Sequence, residues 1–120
     1  MKYTLFVYGT LKGGFPNDWA MDSQEFVDDA TIQAKLYDTG YGFPAIGSGS
    51  ETVFGEIWKV DEEAKAKIDR LEGSIYKEMP VSALLIGDGN IEMGYVEATA
   101  YFWAGNVDKL MHIPEGEWIK

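Results

Sequence analysis

Cysteine is absent from this 120-residue chain, and histidine occurs once, at His112. The first absence excludes disulfides and thiolate nucleophiles. The second leaves any zinc site to be built almost wholly from carboxylates, against that metal's preference for nitrogen and sulfur. A histidine-dependent nucleophilic triad is not expected either, since His112 has no serine elbow to serve and reads as a surface or packed residue. Long hydrophobic runs are missing too: nothing approaches the ~18 apolar residues of a membrane span. The N-terminus enters a strand pattern directly, without a leader-like segment, so cytoplasmic residence is expected. Basic residues are scarce, 10 against 20 acidic ones, for a net charge of −10. Such a surface repels phosphate backbones and anionic lipid heads, so neither nucleic acid nor membrane is expected as a partner. Repeats, linkers and low-complexity stretches are absent as well.

What is present suffices for a core. Hydrophobic residues make up 46% and aromatic residues 14% of the chain, which argues against global disorder. The length suits one domain, residues 1–120. The first informative stretch is Phe6-Val7-Tyr8-Gly9-Thr10-Leu11-Lys12-Gly13-Gly14. Strand formers from Tyr3 to Tyr8 stop in a glycine-bearing turn, a way of presenting backbone N–H groups to a ligand. An ordinary strand-to-loop turn accounts for the same residues. Gly9 and Gly14 have phosphate-loop spacing, but Phe15-Pro16 follows where Lys-Ser/Thr is needed, which excludes an NTPase. The spacing of Gly9, Gly13 and Gly14 also fails the dinucleotide fingerprint.

Phe15 to Trp19 reads as an irregular segment or a single helical turn with Trp19 packed inward. From Ser23 to Asp38 the pattern is extended, with Phe26, Ala30, Ile32, Ala34 and Leu36 on the buried parity. Asp28-Asp29 marks a bulge or bend, since aspartate is depleted in strands. Gly40 to Ser50 reads as a long glycine-rich loop bearing Tyr41, Phe43 and Pro44, and as a second wall of a site. Thr52 to Val60 returns to strand. Asp61 to Glu72 is the one principal helix, with Asp61 as N-cap, Glu62 and Glu63 in the first turn, and Gly73 as its stop. Its apolar stripe is Ala64, Ile68 and Leu71.

Glu72 stands out on that helix. It lies about 40° around from Ile68, on the flank of the stripe, at the negative pole of the helix dipole. Both the dipole and partial burial push a carboxyl's pKa upward, which makes a usable base near neutral pH. The helix pattern alone is equally satisfied by a side chain turned into solvent. Beyond the helix, Tyr76 to Ile86 and Ile91 to Trp103 read as strands joined through Gly87-Asp88-Gly89-Asn90, a hairpin signal. The tail carries a helical turn near Val107 to Met111, and Trp118 is expected to dock back. The fold class is α+β, with a mostly antiparallel sheet and one principal helix.

Four pieces together resemble the gamma-glutamylcyclotransferase-like family. They are Val7-Tyr8-Gly9-Thr10-Leu11, Gly40 to Pro44, Ile68-Asp69-Arg70-Leu71-Glu72-Gly73 running to Tyr76, and Ile113-Pro114-x-Gly116-x-Trp118. Their order spans nearly the whole chain. The resemblance implies a small β-barrel-like sheet with flanking helices and an intramolecular aminolysis: the α-amino group of a γ-glutamyl unit attacks its own γ-carbonyl, closes 5-oxoproline and expels an amine. It implies Glu72 as the catalytic acid/base and the backbone of Tyr8, Gly9, Thr10 and Leu11 as the glutamyl cradle. Tyr41, Pro44, Tyr76 and Tyr101 become pocket walls. The implied partner is a small γ-glutamyl molecule; no metal or organic cofactor is required, and a monomer or weak homodimer is expected. Two departures stand out: Thr10 where serine is common, and Glu78 where many relatives carry arginine. If Glu78 faced the pocket it would repel a substrate carboxylate; on a solvent-facing strand position it would not. The leaving amine stays open. Two other readings remain: a non-catalytic small-molecule or protein-binding domain, and a hydrolase pairing Glu72 with Glu78.

Overall fold

Tyr3–Val7 (β1) is apolar at consecutive positions because both of its faces are covered. Phe6 points into one buried cluster, while Leu5 and Val7 point into another. The computed structural model describes residues 2–9, 23–86 and 94–118. Among these the chain continues through β2 (Glu25–Asp38), β3 (Pro44–Val60), helix α1 (Glu62–Glu72), a 3-10 turn (Gly73–Ile75), β4 (Tyr76–Ile86), β5 (Tyr95–Trp103) and β6 (Met111–Ile113). Thr10, Leu11, Trp19, the Gly87–Asn90 connection and the expected strand start at Ile91 lie outside the described residues.

The strands run in the order β3-β1-β5-β4-β2-β6, and a further β3–β2 pairing closes the first five into a barrel. All pairings are antiparallel except that of β1 with β5. Inside, five alanines (Ala30, Ala34, Ala83, Ala98 and Ala100) leave room for the rings of Phe6 and Tyr8, with Ile32, Leu36, Ile46, Val53 and Ile57 filling the rest. The α+β class with a mostly antiparallel, barrel-like sheet is therefore what forms.

Helix α1 begins as the sequence indicates: Asp61 accepts from the Ala64 amide at 2.8 Å, and Gly73 caps the other end through its N–H to the Asp69 carbonyl. It lies on the outer face of the barrel over Leu5, Val7, Val60 and Tyr101. Burying Ile68 there contributes about 2 kcal/mol. The buried stripe differs from the expected one. Leu71 is 40% exposed, whereas Ala64, Lys65 and Ile68 are buried. The i, i+4, i+8 line through Ala64 and Ile68 leads to Glu72, not to Leu71, because Leu71 lies about 60° back from Ile68.

Three other expectations are corrected. Gly40 to Ser50 is not one loop: the turn ends at Phe43, and Pro44, Ala45 and Ile46 already pair with Asp38, Tyr37 and Leu36. Ala45 and Ile46 have no exposed surface, so core packing overrides the glycine-rich composition, and only the residues around Ser48 to Ser50 form an irregularity where the register shifts. Phe26 is 47% exposed, because the expected irregularity at Asp28 inserts a residue against β3 and turns Phe26 to the opposite face, edge-on to Trp58. The tail holds a short turn closed by Leu110 N–H to the Val107 carbonyl, and then the strand β6, which has no sequence signal in three residues. Trp118 does pack against the barrel cluster.

Candidate active site

Five chain segments end at one place: the exit of β1, the turn before β3, the C-terminus of α1, the start of β4 and the end of β5. Register makes this so. Tyr76 pairs with Trp103 and Glu78 with Tyr101, which sets the beginning of β4 against the close of β5. Tyr8 at the β1 exit donates its hydroxyl to the Tyr101 carbonyl at 2.5 Å. Tyr76 donates to the Pro44 carbonyl, also at 2.5 Å, tying β4 to the start of β3. Tyr101 donates to Asp69 Oδ1 at 2.5 Å, tying β5 to the helix.

Gly9 completes this arrangement by having no side chain. A Cβ there would stand 2.7 Å from Pro44 Cγ and 2.9 Å from its Cδ. Gly9→Ala is expected to push Pro44, and with it the carbonyl that holds Tyr76, at a stability cost of about 1–3 kcal/mol. A displacement on that scale costs up to about 100-fold in kcat/KM of a positioned reaction, so steady-state kinetics beside thermal melts check the effect.

Glu72 is half-buried among these groups. Burial, and then the Asp69 charge, push its carboxyl from the usual range up to about 7. Among the described residues no side chain hydrogen-bonds it. Three phenols share this environment. Burial first pushes Tyr8, Tyr76 and Tyr101 well above the ordinary tyrosine range. After burial come Tyr76 and Glu72 for Tyr8, Glu72 for Tyr76, and Asp69 ahead of Glu78 and Glu72 for Tyr101, so all three stay protonated donors. The site thus holds one carboxyl that titrates near neutrality, surrounded by hydroxyls that do not.

Of the residues singled out by sequence, Tyr8, Gly9, Pro44, Glu72, Tyr76 and Tyr101 come together. Tyr41 does not line the centre: it is 78% exposed and stacks on Phe43, whose ring leans on Tyr76 at 6.2 Å. Phe43, on the expected second wall, and Trp103, which meets Tyr76 edge-on at 5.9 Å and carries no sequence signal of its own, both add rings beside Tyr76. Asp69 joins them, and its i, i+3 spacing from Glu72 already puts the two on one helix face. Glu78 takes the solvent-facing strand position the sequence allows: its side chain is 48% exposed, and its Oε1 meets Lys65 Nζ at 2.5 Å. His112 lies elsewhere, 2.7 Å from Glu51 on the barrel surface. A separate groove of about 580 Å3, lined by Gln33, Ser48, Met79, Val81 and Phe102 among others, includes none of the gathered residues.

Residues 5–120 match the family described as gamma-glutamyl cyclotransferase, AIG2-like. The chain belongs to that family. Within it, the chain is 29% identical over 118 residues to the gamma-glutamylcyclotransferase family protein YtfP of Escherichia coli K12, covering 96% of this chain and 95% of the relative. A Niallia circulans protein named gamma-L-glutamyl-butirosin B gamma-glutamyl cyclotransferase is 41% identical over 69 residues, 57% of this chain and 44% of that one. Among solved structures, an AIG2-like protein from Mus musculus superposes with a TM-score of 0.80 at 23% identity over 98% of this chain and 88% of its own, which shows the common fold. The solution structure of Escherichia coli ytfP gives a TM-score of 0.68 at 30% identity, with 97% and 96% covered. No helix among the described residues is long and apolar enough to cross a membrane.

Proposed function

We propose that the chain converts a γ-glutamyl amine or peptide into 5-oxoproline and a free amine, with Glu72 as general acid and base. The observation that carries this reading is the Glu72 carboxyl itself: half-buried, held near pH 7, and set among three neutral phenols at the exit of β1. In its charged form Glu72 removes a proton from the substrate α-ammonium. The freed amine attacks the γ-carbonyl carbon, a C–N bond closes the five-membered ring, and the original γ-amide C–N bond breaks. The proton held by Glu72 and the second one shed by the ring nitrogen leave with the departing amine, so no water is consumed. Nucleophile and electrophile belong to one molecule, and holding it folded supplies much of the rate. Backbone N–H groups at the exit of β1, from Tyr8 and Gly9 onward, hold the glutamyl unit, and each such donor aimed at the developing oxyanion contributes about 3 kcal/mol. Pro44, Tyr76 and Tyr101 form the walls, with Tyr41 at the rim.

The test is a panel of γ-glutamyl amino acids, amines and peptides assayed for 5-oxoproline release. The expected result is turnover of at least one, with an acid limb in kcat/KM centred near pH 7, because kcat/KM reports the ionisation of the free enzyme. Ligand-induced thermal stabilisation by these compounds without product would instead identify a binding domain and overturn the reading.

A further inference from the structure

Lys65 sits beneath the site with its side chain only 11% exposed, and its ammonium meets two carboxylates. Nζ lies 2.8 and 3.0 Å from the two oxygens of Asp69 and 2.5 Å from Glu78 Oε1. The rings of Tyr3 and Tyr101 stand 5.4 and 5.7 Å from it. Asp69 therefore accepts from Lys65 on both oxygens and from the Tyr101 hydroxyl on one of them. A like-charge pair at i, i+3 on a helix is normally unfavourable. Here the first member is anchored from two sides while the second, Glu72, carries no comparable partner among the described residues.

We propose that Asp69 is a positioning residue for the reaction: fixed by Lys65 and Tyr101 one helical turn before Glu72, its permanent negative charge makes Glu72 a stronger proton acceptor. This rests on the reading of Glu72 as the general base. The charge count of the cluster supports it. Lys65 alone against Asp69 would form a neutral pair with little field beyond it. Glu78 adds a second carboxylate to the single ammonium, so the cluster keeps a net negative charge behind Glu72. Burial works to raise the Asp69 carboxyl, but the hydrogen bonds from Lys65 and Tyr101 and the ammonium charge outweigh it and hold it below the usual range. Asp69 is thus ionised throughout the range in which Glu72 titrates. Among the described residues, the other titratable groups facing Glu72 are Tyr8 at the exit of β1, Tyr76 of β4 and Tyr101 of β5, and these stay neutral; Lys65 and Glu78 act from behind Asp69. Tyr101 also gives the device a mechanical side, since its carbonyl takes the Tyr8 hydroxyl while its own hydroxyl holds Asp69. Glu78 is, in this chain, part of how the base is set.

The experiment compares Asp69→Asn and Glu78→Gln with the parent protein by two readouts. One is the acid limb of kcat/KM for 5-oxoproline release; the other is direct titration of the Glu72 carboxyl carbon by NMR, which needs no turnover. For Asp69→Asn both midpoints are expected to move down by about one pH unit, the usual order for removal of an adjacent like charge. Glu78→Gln, which keeps the Lys65–Asp69 pair, is expected to move them the same way by less, and it decides the matter should Asp69→Asn fail to fold. An unmoved Glu72 titration in the folded variants, even with activity lost, would reduce Asp69 to a structural role and overturn the proposal. A titration that moves in a protein releasing no 5-oxoproline would overturn the enzyme reading and leave the electrostatic device standing.

Discussion

Glu72→Gln is expected to lower 5-oxoproline release by at least about 100-fold and up to about 10⁴-fold, the span a positioned general base contributes. Glutamine keeps the shape and the half-buried packing but accepts no proton from the α-ammonium. The same substitution should not harm the fold, and the sign of its stability effect is itself a check. An unfolded glutamate ionises near 4.5, whereas burial, and then Asp69, raise the folded carboxyl to about 7. Between those values the folded protein holds a proton that the unfolded chain has released, so stability falls as pH rises through the window. Glutamine has no such loss. At pH 8 the variant should therefore be more stable than its parent, by at most about 3 kcal/mol for a shift of this size. At pH 4 the two should melt together. Melts at both pH values beside single-turnover assays read all of this. Wild-type rates in the variant would remove Glu72 from the chemistry.

The place of Glu72 on α1 is legible in the sequence because local rules fix the helix, although those rules equally allow the side chain to face solvent and only the docking of α1 half-buries it. An N-cap at Asp61 and a glycine stop at Gly73 fix both ends of α1, so the phase of the helix can be counted. Counting along i, i+4 from Ala64 through Ile68 lands on Glu72; choosing Leu71 by hydrophobicity gives the wrong edge of the stripe. The strand bounds Tyr76–Ile86 are legible for a similar reason, as a glycine-free run between two punctuated ends. What escapes the sequence is set by partners far along the chain. Pro44 to Gly47 become strand because Lys35 to Asp38 lie alongside, and no property of a Gly-Ser-rich run announces that. The Lys65–Glu78 pair joins α1 to β4 across 13 residues, so the departure at Glu78 cannot be interpreted until the helix is docked. The same holds for the three tyrosine hydroxyls, whose acceptors are two backbone carbonyls and one carboxylate from other elements.

Gly116→Ala is expected to destabilise the fold more than any change at the site. The backbone there has φ of 73°, in the left-handed region, which costs a non-glycine residue about 1–2 kcal/mol. A Cβ would also fall 1.9 Å from the Thr52 carbonyl oxygen, a backbone atom with no rotamer to escape into. The collision forces apart the closing segment and β3, whose Phe54 N–H bonds the Gly116 carbonyl at 2.8 Å. Overpacking of this kind costs about 1–3 kcal/mol further, and the strained hydrogen bond about 1 kcal/mol. The sum, about 3–6 kcal/mol, should lower Tm by about 12–24 °C in a chain of this length. Gly94→Ala is the control. That glycine has open space around its α-carbon and no positive φ, so its melt should match the parent. The contrast matters for function because Gly116 lies two residues before Trp118, which packs on the barrel cluster that also holds Tyr8. Loosening the tail therefore loosens the far side of the core on which the candidate site is built, and kcat/KM of the surviving folded Gly116→Ala protein should fall along with Tm.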